Sequence, residues 1–74
     1  MPIPAGQKRF MVVKEEIDPA TRANLGLQSF FESNVETLAR GVAFSGAQIF
    51  RSGTLIWDWQ LMRYIGGYEP FLEP

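Results

Sequence analysis

A mostly α-helical chain, built on one long amphipathic or membrane-embedded helix over about 33–51, is the expectation set by three features of the sequence. Phe31, Val35, Leu38, Val42, Ser45 and Ile49 recur at intervals of three and four, which gathers them on one helix face. Beside them run Ala39, Ala43 and Ala47 with Gly46 adjacent, a ridge of small residues that lets another helix approach closely. Ser33 followed by Glu36 fits a capping box, and Glu36 stands four residues before Arg40 as an outward ion pair. Ser52-Gly53 either ends this helix or is a weak point through which it continues to 65.

The remaining elements follow in chain order. Pro2, Pro4 and Gly6 disfavour helix, so 1–18 reads as an extended arm. Within it, Phe10 to Lys14 has the aromatic and β-branched content for one short strand. Asp18-Pro19 reads as a helix start, because Asp accepts a bond from an orphan amide and Pro loses nothing at the first helical position. A short first helix from about Pro19 to Phe31 is expected, weakened by Gly26. Thr54 caps the continuation that carries Leu55, Ile56, Trp59, Leu61 and Met62, and Gly66-Gly67 stops it. The chain then divides into an arm (1–18), a helical region (19–65) and an extended tail (66–74), all within a single small subunit.

Composition narrows the chemistry. The 74 residues include no Cys and no His, which removes disulfide staples and Cys/His metal sites. The acids are too scattered for a calcium loop. A core of this size supplies roughly 3–5 kcal/mol, so oligomerisation or a host complex is the remaining route to greater stability. The usual nucleophile–base pairs cannot be assembled, and Gly41, Gly46 and Gly53 lack the Lys that a phosphate loop needs. No catalytic residue, no cofactor, no metal and no small-molecule substrate is therefore expected. With a net charge of −1 there is no basic field to attract nucleic acid. Lys8-Arg9-Phe10, the one basic–aromatic patch, reads as a solvated arm.

A membrane role fits some of these features. The uncharged run Gly41 to Phe50 is only ten residues, against about 20 for a span. Extending it to Trp57 takes in Arg51, at about 2.5–3.5 kcal/mol unless that side chain pairs or snorkels. Trp57, Trp59, Tyr64 and Tyr68 crowd one end as an interfacial belt would, with Lys8, Arg9, Lys14 and Arg22 on the other side. A core cluster in a compact domain accounts for these aromatics equally well. Ala39, Val42, Ala43, Gly46, Ala47 and Ile49 are the candidate partner-packing residues. No cleavable targeting sequence is evident: the apolar run after Lys8-Arg9 is short, and Glu15, Glu16 and Asp18 come early.

At Arg40-Gly-Val-Ala-Phe-Ser-Gly46, then Ser52 and Trp57-Asp58-Trp59, the chain resembles the very small single-helix subunits of the mitochondrial outer-membrane protein translocase, of the sixth-subunit type. It departs from them in Gln48, in Arg51 and in the fifteen residues from Gln60 onward. The resemblance implies a non-catalytic accessory subunit in an organellar, mitochondrial membrane. Such a subunit would stabilise a multi-subunit complex by packing against larger membrane subunits and the lipid bilayer. The alternative is a soluble structural or adaptor component of a large assembly such as a virion, with Phe10–Val13 and Leu55–Trp59 as strands against the helix.

Overall fold

Phe10-Met-Val-Val13 and Thr54-Leu-Ile-Trp57 are the two most β-prone runs of the chain. In the computed structural model, which describes residues 3 and 5–71, they lie antiparallel, with Val12 opposite Ile56. They form the centre of a four-stranded sheet. Its strands are β1 (Phe10–Ile17), β2 (Asn24–Ser33), β3 (Thr54–Asp58) and β4 (Arg63–Tyr68), in the order β2-β1-β3-β4. The helix α1 (Glu36–Phe50) separates the two hairpins in sequence. It packs across all four strands on one side.

Turn chemistry sets the hairpins. The Asp18 carboxylate accepts the Ala20 and Thr21 amides at 2.8 and 3.3 Å, and Arg22 N–H donates to the Asp18 carbonyl at 2.8 Å. Arg22 adopts φ 63, the left-handed conformation that turns the chain back into β2. After β2, Ser33 Oγ accepts the Val35 amide at 3.0 Å and the helix begins at Glu36. Its far end is closed by Arg51 at φ 52, with the Arg51 and Ser52 amides both donating to the Ala47 carbonyl. This left-handed closure is the usual way to end a helix, here made by Arg instead of Gly.

The alanine ridge is what seats the helix. Ala39, Ala43 and Ala47 are fully buried, facing Phe10, Val12 and Ile56 of the central strands, with Phe30, Phe31, Ile65 and Tyr68 around them. Methyl-sized side chains bring α1 close enough for Thr54 Oγ1 to donate to the Ala43 carbonyl at 2.7 Å, a buried bond joining helix to β3. A second tie holds the chain after β4. Gln48 Nε2 donates to the Glu69 carbonyl at 3.2 Å and Gln48 Oε1 accepts the Phe71 amide at 2.8 Å. Phe71 meets Phe44 edge-on at 5.6 Å.

β4 depends on one glycine. A Cβ at Gly67 would stand 2.5 Å from the Thr54 carbonyl oxygen and 2.9 Å from Leu55 Cδ2, so the β3–β4 ladder closes only without it. Gly67→Ala is expected to lower stability by about 2 kcal/mol in urea titration, with the slope unchanged. An unchanged midpoint would show that β4 shifts freely.

Several expectations are corrected by this architecture. The fold is mixed α/β, with a sheet and one helix, not mostly α. No helix forms over 19–31, because Asp18 uses its capping chemistry to close a hairpin loop and β2 pairs with β1. No helix continues to 65. Arg51 ends α1, and Thr54 to Asp58 alternate between faces as β3. Gly66-Gly67 lie inside β4. The expected arm is in part β1, and both ends of the arm-and-tail assignment, residues 1, 2, 4 and 72–74, lie outside the described residues. Among the described residues no helix is long and apolar enough to cross a membrane; α1 has 15 residues. The single-helix membrane subunit, its mitochondrial membrane location and the translocase likeness are withdrawn on that ground. The residues that carried the likeness fall in two different elements, α1 and the β3–β4 hairpin.

Candidate functional site

With α1 on one face, the period-2 alternation of the strands assigns the opposite face. Leu55 and Trp57 of β3, Met11 and Val13 of β1 and Tyr64 of β4 are cross-strand partners on that face: Met11 opposite Trp57, Val13 opposite Leu55, Trp57 opposite Tyr64. Trp59 extends the row, its amide donating to the Arg9 carbonyl at 2.9 Å. Among the described residues no helix or further strand packs on this face, although Val13 there is only 3% exposed. An antiparallel sheet with one free face is ordinarily polar there. This one carries both tryptophans of the chain.

The aromatic rings form one cluster. Trp57 meets Trp59 edge-to-face with centroids 5.7 Å apart, and Trp57 meets Tyr64 at 4.9 Å. Tyr64 is 44% exposed, and the indoles are half-buried. The Nε1 atoms of Trp57 and Trp59 are both buried and without a hydrogen-bond partner.

Asp58, between the two tryptophans, holds the hairpin that presents them. It points to the other face and is 1% exposed. Its carboxylate takes Arg9 Nε at 3.1 Å and Nη2 at 3.0 Å, and also accepts the Gln60 and Leu61 amides at 2.8 and 3.2 Å. Met62 at φ 56 then returns the chain into β4, its amide on the Asp58 carbonyl at 2.8 Å. The Arg9 guanidinium holds the Asp58 carboxyl below the ordinary carboxylate range, aided by the Leu61 and Gln60 amides and opposed by burial.

Charge is distributed along the strands. Lys8, Arg9 and Arg63 lie at the Trp59 end of the sheet against Asp58 and Glu32, whereas Glu15, Glu16, Asp18 and Glu69 outnumber Lys14, Arg22 and Arg51 at the other end. That second end holds a polar cavity of about 570 Å³ lined by Lys14, Glu16, Arg22, Arg51 and Glu69, among others. Its charges are mixed, with Lys14 already paired to Glu16 at 2.9 Å. Nothing in it converges on one ligand chemistry.

The structure scatters the candidate residues read from the sequence. Ala39, Ala43, Gly46 and Ala47 are buried against the chain's own sheet; Val42 is half-buried and Ile49 stands out at the helix flank, 74% exposed. Trp57, Trp59 and Tyr64 come together on the free face, but Tyr68 points to the helix side, edge-on to Phe44 at 5.7 Å. Asp58, Arg9, Met11 and Arg63 were not singled out as a group. The alternation Trp57-Asp58-Trp59 was the available signal. Compared with known proteins, the chain matches no family model, no curated relative and no solved structure.

Proposed function

We propose that this chain is a small non-catalytic binding domain that holds single-stranded nucleic acid on the free face of its sheet, stacking bases on Trp57, Trp59 and Tyr64. The observation that carries the reading is the uncovered aromatic cluster on an antiparallel sheet. Sheets with exposed aromatics stack splayed bases, at about 1–3 kcal/mol per base, with little dependence on sequence. Lys8 lies at the Trp59 end of the cluster, where a phosphate backbone could run, whereas Arg9 is engaged by Asp58 and Arg63 stands opposite Asp58 on the helix side. This departs from the partner expected of the sequence, because Tyr64 becomes a neighbour of the tryptophans only through the β3–β4 hairpin. A net charge of −1 makes the binding short-range and readily weakened by salt.

Fluorescence provides a direct test, since both tryptophans of the chain belong to the site. Titration with a single-stranded oligothymidylate at low salt is expected to quench emission with a Kd of about 1–100 μM. Tyr64→Ala is expected to weaken it by about 5–100-fold while leaving the circular dichroism spectrum unchanged. Absence of quenching at 0.1 mM oligonucleotide, a concentration at the order of magnitude set by that affinity scale, would sink the proposal. A protein partner on the same face is the second reading, favoured by Glu15 and Glu32 on that face. It predicts no response to any oligonucleotide.

A further inference from the structure

Strand pairing lines up four side chains across the free face of the sheet. Met11 of β1 stands opposite both Glu32 of β2 and Trp57 of β3, and Trp57 stands opposite Tyr64 of β4. Glu32 belongs to this face by alternation, because its neighbours Phe31 and Ser33 are the cross-strand partners of the core residues Val12 and Phe10. The row therefore runs from a carboxylate, over one thioether, to two aromatic rings. Met11 and Glu32 are half-buried, and among the described residues no cation pairs with the Glu32 carboxylate. The other acid of the face stands apart: Glu15 is four residues further along β1, about 13 Å from Met11 at the rise of a strand. Of the two acids, only Glu32 is within reach of a base held on Trp57 and Tyr64.

Glu32 is two strand spacings from Trp57, about 10 Å. A purine stacked on the rings and lying over the adaptable Met11 side chain bridges that gap and turns its outer edge to β2. A carboxylate offers acceptors and no donor. Guanine is the base whose Watson–Crick edge carries two adjacent donors, N1–H and the N2 amino group, so it meets a carboxylate with two parallel hydrogen bonds. Adenine and cytosine set one amino donor beside a ring-nitrogen acceptor, and thymine and uracil set a single N–H between two carbonyl oxygens. Each of these brings a lone pair against the carboxylate. With guanine so placed, its sugar lies on the opposite side of the base, and the phosphates stay clear of Glu32.

We infer that Glu32 gives this face a preference for guanine within a single strand, accepting N1–H and N2–H while the base stacks on the Trp57–Tyr64 row. Glu32 thereby adds one sequence-reading residue to a sequence-tolerant platform, a role that rests on the platform stacking bases as proposed above.

Tryptophan emission follows the binding of pentathymidylate and of the same pentamer with guanine, adenine, cytosine or hypoxanthine at its centre. The guanine pentamer is expected to bind about tenfold more tightly than pentathymidylate, the scale of one good bidentate pair. Hypoxanthine, which lacks the N2 amino group, should lose most of that advantage. Glu32→Gln keeps the size of the side chain and turns a donor toward N1–H. It should bring the guanine pentamer down to the level of pentathymidylate, without weakening the latter or changing the circular dichroism spectrum. Glu15→Gln should keep the preference. Equal affinity for the guanine and thymine pentamers in the native chain overturns the inference, and so does a guanine preference that survives Glu32→Gln. Emission that no pentamer changes is a separate failure: it removes the stacking platform itself, and the role of Glu32 with it.

Discussion

Replacing Asp58 with Ala is expected to leave a large fraction of the protein unfolded at 25 °C, through a loss of about 2–4 kcal/mol. The size follows from what the carboxylate does. It satisfies the Gln60 and Leu61 amides, as a capping residue does, and receives both Arg9 donors from the start of β1. Arg9 is about one-third exposed, with a side-chain accessibility of 35%, so solvent screens that half of the interaction. A core of this size has only roughly 3–5 kcal/mol to lose. The same group sets an acid limit. Its folded pKa lies below its unfolded one, so its contribution is complete above the unfolded value, about 3.9 for Asp. It is lost as pH falls through the folded value. Urea midpoints measured from pH 7 down to pH 2 should therefore fall in the native chain below about pH 4, and fall less steeply in Asp58→Asn, which keeps an acceptor for the Gln60 and Leu61 amides but does not titrate. Equal slopes would assign the acid transition to other carboxylates.

Ala43→Leu is expected to be nearly as damaging, by about 2–4 kcal/mol. Ala43 is fully buried beneath Val12 and Ile56, and its carbonyl accepts the Thr54 hydroxyl. Three further carbon atoms would lift the helix from the sheet and break that bond. A ridge made for an outside partner predicts something else: a stable monomer that no longer binds. Thermal unfolding separates the two. A Tm lowered by roughly 10 °C or more fits the inward ridge, and an unchanged Tm would reassign Ala43 to an external surface.

Much of α1 was legible because its signals are local. The alanine ridge, the three-four rhythm and the Ser52-Gly53 stop all fall within or beside Glu36–Phe50. The strands were harder to read for a physical reason. Leu55, Ile56, Trp59, Leu61 and Met62 satisfy a helical spacing, while Thr54, Ile56 and Asp58 satisfy alternation equally well; pairing with β1 decides between them. Ser29-Phe-Phe-Glu32 fits a capping box yet lies inside β2, where both of its polar residues have strand partners, Val13 and Met11. The sequence groups Trp57, Trp59, Tyr64 and Tyr68, but the first three share one face and Tyr68 lies on the other, against Phe44. The shared face is assembled by pairing of β3 with β1 and β4, and Arg9 holds Asp58 across forty-nine residues of chain. A contact of that range leaves no trace in a local window.

Gln48, too polar for the middle of a membrane span, has a different use. Its amide both donates to and accepts from the backbone of 69–71, so one side chain behaves as a length of neighbouring strand. The segment after β4 is thereby fastened to the helix and not to the sheet. Among the described residues it is held by two hydrogen bonds and one ring contact, none of which belongs to a strand pairing. Loss of those contacts would take Phe71 off Phe44 and leave the sheet as it is. One side chain of α1 thus does for 69–71 what a fifth strand would otherwise have to do.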